Sequence, residues 1–219
     1  MSVPVRVFLI DDHPIVRAGA RLAIAGLPGF EICGETGVAA GAPAAAKSAR
    51  ADIVVVDLLL GTPGDGLALI AALHAALPRA RLLVFSMNAE ELFAERALRA
   101  GAHGYLMKGG DLTELQEALR CLQRGEVYLG ARLAPRRFGA RRLGAAVASP
   151  LTSLSDREMQ VFLLLGAGKT TPQMAAELGV SAKTISAHRE NVKVKLGIAS
   201  APELIRHAVA YVVGQGQPG

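Results

Sequence analysis

Ile53-Val54-Val55-Val56-Asp57 decides the fold of this chain. Four β-branched apolar residues in succession leave no polar face, as expected of a strand buried on both sides of a parallel sheet. The run stops at a carboxylate. Two further runs stop in a similar way: Val7-Phe8-Leu9-Ile10 meets Asp11-Asp12, and Gly104-Tyr105-Leu106-Met107 meets Lys108. In an open parallel sheet, ligands sit beyond the carboxyl ends of the strands. Three carboxylates and one ammonium, distant in sequence, are therefore expected on one edge.

Outward from that run, apolar stretches at 5–10, 30–35, 53–57, 81–86 and 103–106 predict strands. Amphipathic, Ala/Leu-rich stretches near 14–26, 38–50, 66–77, 90–100 and 112–124 predict helices between them, the second being almost pure Ala. Gly101 reads as the stop of the fourth helix. Five β–α units predict an α/β domain over 1–124: a doubly wound, five-stranded parallel sheet, flavodoxin-like, with right-handed crossovers. Residues 125–150 break the pattern. Pro135-Arg136-Arg137 and Arg141-Arg142 among Gly and Ala predict a basic, flexible linker.

Residues 151–213 are patterned as helices throughout. Ser155-Asp156-Arg157-Glu158 is a capping box, and Thr171-Pro172 predicts a cap followed by proline at the first helical position. Gly179-Val180-Ser181 predicts a tight turn ending in another cap, so this is a small all-α helix-turn-helix domain. A fourth helix is expected near 201–213, after Gly197, and a disordered tail over 214–219.

With 51% apolar residues, only 4% aromatic and no Trp, the core must be Ala, Leu and Val. Cys33 and Cys121 show no metal spacing and read as buried thiols in a reducing compartment. No basic segment precedes a long apolar one at the start, and no apolar run reaches the roughly 18 residues of a membrane span. The expected location is cytoplasmic. Residues 1–124 carry 12 Lys+Arg against 13 Asp+Glu, a net of −1, whereas residues 125–219 carry 12 against 6, a net of +6. That asymmetry points to a nucleic-acid partner for the C-terminal part.

The acidic edge suits a hard cation. Mg²⁺ takes carboxylate and carbonyl oxygens and keeps several waters, and Asp11, Asp12 and Asp57 supply the carboxylates. Asp57 can attack phosphorus as a nucleophile, giving an acyl phosphate. A cation and the Lys108 ammonium would neutralise charge on the transferring group. Ser86, ending the fourth strand, offers a hydroxyl to a phosphoryl oxygen.

Asp11-Asp12, Asp57, Ser86 and Gly104-Tyr105-Leu106-Met107-Lys108 together resemble the receiver domain of two-component response regulators. The resemblance implies that Asp57 accepts phosphoryl from a sensor histidine kinase. It implies that Asp12 binds Mg²⁺ directly, Asp11 through water, and the Leu59 backbone carbonyl completes the protein ligands. Ser86 and Tyr105 would be a switch pair, the hydroxyl drawn to the phosphoryl group and the ring turning inward behind it. One departure is the loop Gly61-Thr62-Pro63-Gly64-Asp65-Gly66, one residue longer than the commoner family pattern. It bears on the dephosphorylation rate rather than on the acceptor.

The C-terminal part resembles the LuxR-type helix-turn-helix of the NarL/FixJ class. The matching pieces are Leu154-Ser155-x-Arg157-Glu158, Gly168-Lys169, Met174-Ala175-x-Glu177-Leu178, and Ser181-x-Lys183-Thr184-Ile185-x-x-His188-Arg189-x-Asn191-x-x-x-Lys195-Leu196-Gly197. On the predicted recognition helix, Ile185, Val192 and Leu196 share an inward face. Lys183, Ser186, Ala187, Glu190 and Lys193 point away, as residues entering the major groove do. Lys183 and Lys193 are expected on phosphates. Ser186, Ala187 and Glu190 are the base-edge candidates, with Glu190 read equally well as a solvated surface acid. Thr184 and Arg189 complete the expected DNA contacts, and His188 reads as a packed, hydrogen-bonded histidine. The other histidines, His13, His74, His103 and His207, are expected to form no metal-ligand cluster.

Together these imply a transcription regulator, not an enzyme. Phosphorylation would release or pair the helix-turn-helix domains on a two-fold DNA site, with duplex DNA, a histidine kinase and a second copy as partners. Two rivals differ in kind. Haloacid-dehalogenase-like phosphohydrolases also combine Asp, Ser/Thr and Lys on a parallel sheet, but their nucleophile lies on the first strand in Asp-x-Asp, and no cap domain is seen here. A DNA-binding protein without phosphorylation control would have no use for the intact acidic edge.

Overall fold

The computed structural model describes residues 3–58, 60, 66–87, 90–130 and 150–215. These form two compact units, one comprising the described residues up to Gly130 and one those from Pro150. In the first unit, strands β1 Val5–Ile10, β2 Phe30–Thr36, β3 Ile53–Val56, β4 Arg81–Ser86, β5 Gly104–Met107 and β6 Tyr128–Leu129 make one sheet in the order β2-β1-β3-β4-β5-β6. Every pairing is parallel. Helices α1 Pro14–Ala25, α2 Ala42–Ser48, α3 Gly66–Ala76, α4 Glu90–Arg99 and α5 Leu112–Gln123 connect the strands. All four residues of β3 are buried, as their uniform apolar character requires. On one face Leu9, Val55 and Leu83 pack with Ala20 and Ile24 of α1 and Leu115 and Leu119 of α5. Small alanines let the helices lie close to the branched residues of the sheet. At Gly66 a Cβ would collide with the Leu58 carbonyl, so only glycine lets α3 start against the chain leaving β3.

The sheet differs from expectation at its edge. It has six strands rather than five, because Tyr128 and Leu129 pair with Gly104 and Tyr105. The first unit thus runs past residue 124, and the expected linker 125–150 loses its first residues to the sheet. The signal was the short run Val127-Tyr128-Leu129 between Gly125 and Gly130. The second helix is also shorter than 38–50. Its N-cap is Gly41 with φ 76°, a left-handed conformation that prevents the helix from starting earlier. Residues 131–149 of the expected linker, the loop 61–65 and residues 216–219 of the tail lie outside the described residues, while Gly214 and Gln215, expected in the tail, continue the last helix.

The second unit opens with a 3-10 turn, Pro150–Ser153, followed by helices α6 Asp156–Gly166, α7 Thr171–Glu177, α8 Ala182–Leu196 and α9 Ala201–Gln215. The capping box forms as read: Ser155 Oγ accepts the Glu158 N–H (3.4 Å), and Glu158 Oε2 accepts the Ser155 N–H (2.7 Å). The cap of α7 is Thr170 rather than Thr171. Gln173 reaches back to accept the Thr170 N–H at 2.8 Å, which places Thr171 and Pro172 inside the first turn. Ser181 caps α8 by accepting the Thr184 N–H, and Gly197 ends it with φ 66°. No described helix is long and apolar enough to cross a membrane. Cys121 is a buried thiol whose Sγ donates to Glu126 Oε2 (3.5 Å), while Cys33 is only half-buried.

Candidate functional site

The acidic edge is assembled by backbone hydrogen bonds between strand ends. The Asp57 N–H, just past β3, donates to the Ile10 carbonyl (2.9 Å). The Asp11 N–H, just past β1, donates to the Thr36 carbonyl (3.1 Å), and the Lys108 N–H, just past β5, donates to the Ser86 carbonyl (2.8 Å). Because β1 has β2 on one side and β3 on the other, the edge lies where the strand order reverses.

The expected convergence is present. Lys108 Nζ lies 2.6 Å from Asp57 Oδ2 and 2.7 Å from Asp11 Oδ2. These three side chains are only 5%, 2% and 7% exposed, respectively. Charges buried this deeply require partners, and one ammonium serves two carboxylates. Asp12 adds a third carboxylate at the half-exposed rim. Ser86 and Tyr105 are fully buried, on the neighbouring strands β4 and β5. Tyr105 thus already has the inward position that the resemblance gives it after switching. Leu59 lies outside the described residues.

Two residues join the edge that the sequence reading did not place there. The first is His13, expected to have no part in a cluster. Its Nδ1 lies 2.7 Å from Asp12 Oδ1 and 3.3 Å from Asp11 Oδ1. One ligand atom from each of Asp11, Asp12, His13 and Asp57 falls within 4.8 Å of all the others. Adjacency to the acidic pair was the available signal. The second is Arg17, one turn into α1, whose guanidinium donates to the Asp11 carbonyl (2.5 Å) and to Glu35 Oε1 (3.2 Å). With Arg21 also hydrogen-bonded to it, and Arg17 second, the Glu35 carboxyl is held below its ordinary pKa. The donor set of three carboxylates matches a hard divalent cation.

The second unit places Ile185 and Val192 of α8 in its core, with Leu196 half-buried. Lys183, Ala187 and Glu190 are exposed on one stripe, as read. Other candidates are more engaged than the helical wheel implied. Ser186 Oγ donates to the Ala182 carbonyl (3.0 Å), and Thr184 Oγ1 sits 2.8 Å from Ser181 Oγ. Arg189 donates to Thr171 Oγ1 (3.0 Å), fastening α8 to α7. Lys193 does not point into solvent: its side chain is 17% exposed and its Nζ lies 2.7 Å from Glu190 Oε2. His188 is half-buried, consistent with a packed histidine. The stripe continues through Val194, which is 80% exposed; its place four residues after Glu190 was the available signal. The positive charge is also located differently. Residues 150–215 hold 7 Lys+Arg against 5 Asp+Glu, while 131–149 hold 5 against none.

Residues 7–120, more than half the chain, match the family described as the response regulator receiver domain. The chain belongs to the response regulators. Residues 152–208 match the bacterial regulatory proteins of the luxR family, so this response regulator is of the NarL/FixJ class. It is similar to the response regulator UvrY of Escherichia coli K12, 27% identical over 208 residues and 94% of each chain. It is likewise similar to the oxygen regulatory protein NreC of Staphylococcus aureus, 26% identical over 93% of this chain and 96% of that one. Among solved structures, Salmonella typhimurium RcsB aligns with a TM-score of 0.76 at 25% identity, covering 96% of this chain and 99% of that one. RcsB bound to a promoter in the presence of the phosphomimetic BeF₃⁻ aligns with a TM-score of 0.75 at 27% identity, covering 94% and 98%. This response regulator is accordingly a transcription regulator controlled by phosphorylation.

Proposed function

We propose that Asp57 is the phosphoacceptor, and that its phosphorylation by a sensor histidine kinase controls binding of duplex DNA by residues 150–215. The observation that carries this reading is the Lys108 ammonium, bridging Asp57 and Asp11 at 2.6 and 2.7 Å on the buried sheet edge. A carboxylate oxygen of Asp57 attacks the phosphorus of the donor phosphohistidine. The new O–P bond forms as the P–N bond breaks, and the imidazole leaves with its electron pair and takes a proton. Lys108 stays beside the acyl phosphate and offsets its charge, and Ser86 offers a hydroxyl to a phosphoryl oxygen. Asp11, Asp12 and Asp57 would hold Mg²⁺, which supplies further charge neutralisation at the transferring group. Ser86 and Tyr105 are the proposed switch pair. The regulator acts in the cytoplasm as a homodimer on DNA, a reading supported by solved RcsB dimers on DNA.

Acetyl phosphate with Mg²⁺ tests the acceptor. Intact-mass spectrometry is expected to show one added phosphoryl group, stable in acid and labile to hydroxylamine, and none on Asp57→Asn. Full labelling of the Asn variant would move the acceptor elsewhere.

A further inference from the structure

We propose that His13 makes the acidic cluster a mixed nitrogen and oxygen site, one that favours late transition cations such as Co²⁺ over Mg²⁺ more strongly than its carboxylates alone would. The proposal rests on the reading of Asp11, Asp12 and Asp57 as the cation site.

The geometry comes first. Ligands held about 2.1 Å from an octahedral ion stand roughly 3.0 Å apart when adjacent and roughly 4.2 Å apart when opposite. His13 Nδ1 is 2.7 Å from Asp12 Oδ1 and 3.3 Å from Asp11 Oδ1, which are spacings of adjacent ligands. All four donor atoms, including that of Asp57, lie within 4.8 Å of one another. The His13, Asp12 and Asp11 atoms can therefore be adjacent ligands of one ion, beside the Asp57 carboxylate of the same cluster.

The backbone explains why the imidazole stands there. His13 is the N-cap of α1, in extended conformation, and its side chain makes no capping bond to the helix. Its N–H donates to Asp11 Oδ1 (2.8 Å), and its carbonyl accepts the N–H groups of Val16 and Arg17. Pro14 restricts it further, since a residue before proline is held in extended conformation. The ring is thus carried on a fixed support beside the carboxylates, with no role in starting the helix.

Ligand chemistry sets the direction of the effect. Imidazole nitrogen suits cobalt, nickel and zinc, whereas Mg²⁺ is served by carboxylate, carbonyl and water oxygens. An added nitrogen donor strengthens Co²⁺ binding much more than Mg²⁺ binding. The contrary reading is that Nδ1 of His13 donates its hydrogen to Asp12 Oδ1, in which case that nitrogen offers no lone pair to a cation.

Calorimetric titration of the full chain with Mg²⁺ alone and Co²⁺ alone separates the two. His13→Ala is expected to weaken Co²⁺ binding on the order of tenfold or more, while Mg²⁺ affinity changes less than about twofold. The visible absorption of bound Co²⁺ is expected to shift as a nitrogen ligand gives way to oxygen. His13→Asn guards against a folding defect, because Asn is a favoured N-cap and offers only an oxygen donor. It is expected to lose the same Co²⁺ preference. An unchanged ratio of Co²⁺ to Mg²⁺ affinity in both variants, or tighter binding of both cations, overturns the proposal. Asp12→Asn distinguishes this from failure of the underlying site. If it weakens both cations while the His13 variants leave the ratio unchanged, only the role of His13 fails. If it weakens neither, the reading of the carboxylates as the cation site fails with it.

Discussion

Lys195 Nζ, on α8, lies 2.6 Å from Glu158 Oε2, the same oxygen that closes the capping box of α6 onto the Ser155 N–H. One carboxylate thus starts the first helix of the second unit and anchors the helix expected to meet DNA. Burial pushes the Glu158 carboxyl up, but its bonds to Lys195 and Ser155 outweigh this and hold it below its ordinary value.

Loss of this carboxylate is expected to loosen the start of α6. Glu158→Ala should cost about 1–2 kcal/mol, from the lost cap and charge-assisted hydrogen bonds. Lys195→Met should cost less than about 1 kcal/mol, because its side chain is more than a third exposed. Since the folded-state pKa of Glu158 is lowered, its contribution is present above the unfolded value of 4.5 and lost as pH falls through the folded one. Amide hydrogen exchange in α6 measures both effects. Equal protection in wild type and Glu158→Ala would contradict them.

At the acidic edge, the expected result concerns metal removal. Lys108 is the buried cation between Asp11 and Asp57, so chelator should change wild-type stability little. Lys108→Met leaves two buried carboxylates facing each other and should destabilise by about 3 kcal/mol or more in chelator. Mg²⁺ should restore much of that loss, because it neutralises the same oxygens. Thermal melts with chelator and with Mg²⁺ provide the check; a variant indifferent to Mg²⁺ would contradict it.

A pH effect is expected at the β4–β5 junction. His103 Nδ1 accepts the Leu82 N–H (3.2 Å), which requires an unprotonated nitrogen. Burial first, then the Arg81 and His74 charges, holds the His103 pKa below its ordinary value. The folded state then binds fewer protons than the unfolded one. This contribution is full above the unfolded pKa of 6.5 and declines as pH falls from there toward the folded value. His103→Gln should flatten the fall in stability between about pH 7.5 and 5.5, as read by urea unfolding. An identical slope in the variant would assign the pH dependence to other groups.

The sequence was most informative where one residue type could serve only one purpose. A uniform run such as 53–56 has a single solution, and charges at its end have no other place to go. The sheet, the capping box and the Asp11–Asp57–Lys108 convergence were legible for that reason. Tyr128–Leu129 was hidden because two residues carry no period, and pairing to β5 rather than propensity makes them a strand. His13 was hidden because its role depends on which way a ring turns at a helix start. Lys193 was misjudged because a helical wheel gives the direction of Cβ, while a long ammonium side chain bends to a neighbouring carboxylate.

That bend leads to the final prediction. On α8, Lys183, Ala187, Glu190 and Val194 form one exposed stripe, and Glu190 holds Lys193 at 2.7 Å. Lys183 has no ion-pair partner among the described residues and would be free to meet phosphate, whereas Lys193 is held by a carboxylate that competes with phosphate for it. Lys183→Ala should therefore weaken binding to all sequences more than Lys193→Ala does. Glu190→Ala removes a negative charge from the groove-facing stripe and releases Lys193. Non-specific affinity should rise, and the slope of log affinity against log salt should steepen by about 1 as one more phosphate is engaged. If Glu190 also accepts from a cytosine amino group, the same variant relaxes preference at one base pair by roughly 1–3 kcal/mol. Val194 faces the same way with an apolar surface that suits a thymine methyl, so Val194→Ser should alter preference while leaving the salt slope unchanged. Anisotropy titrations over a salt series, combined with binding-site selection, separate these outcomes. A Glu190→Ala protein with the wild-type salt slope would show that Lys193 does not reach phosphate, and its pairing with Glu190 would then be only a feature of the helix surface.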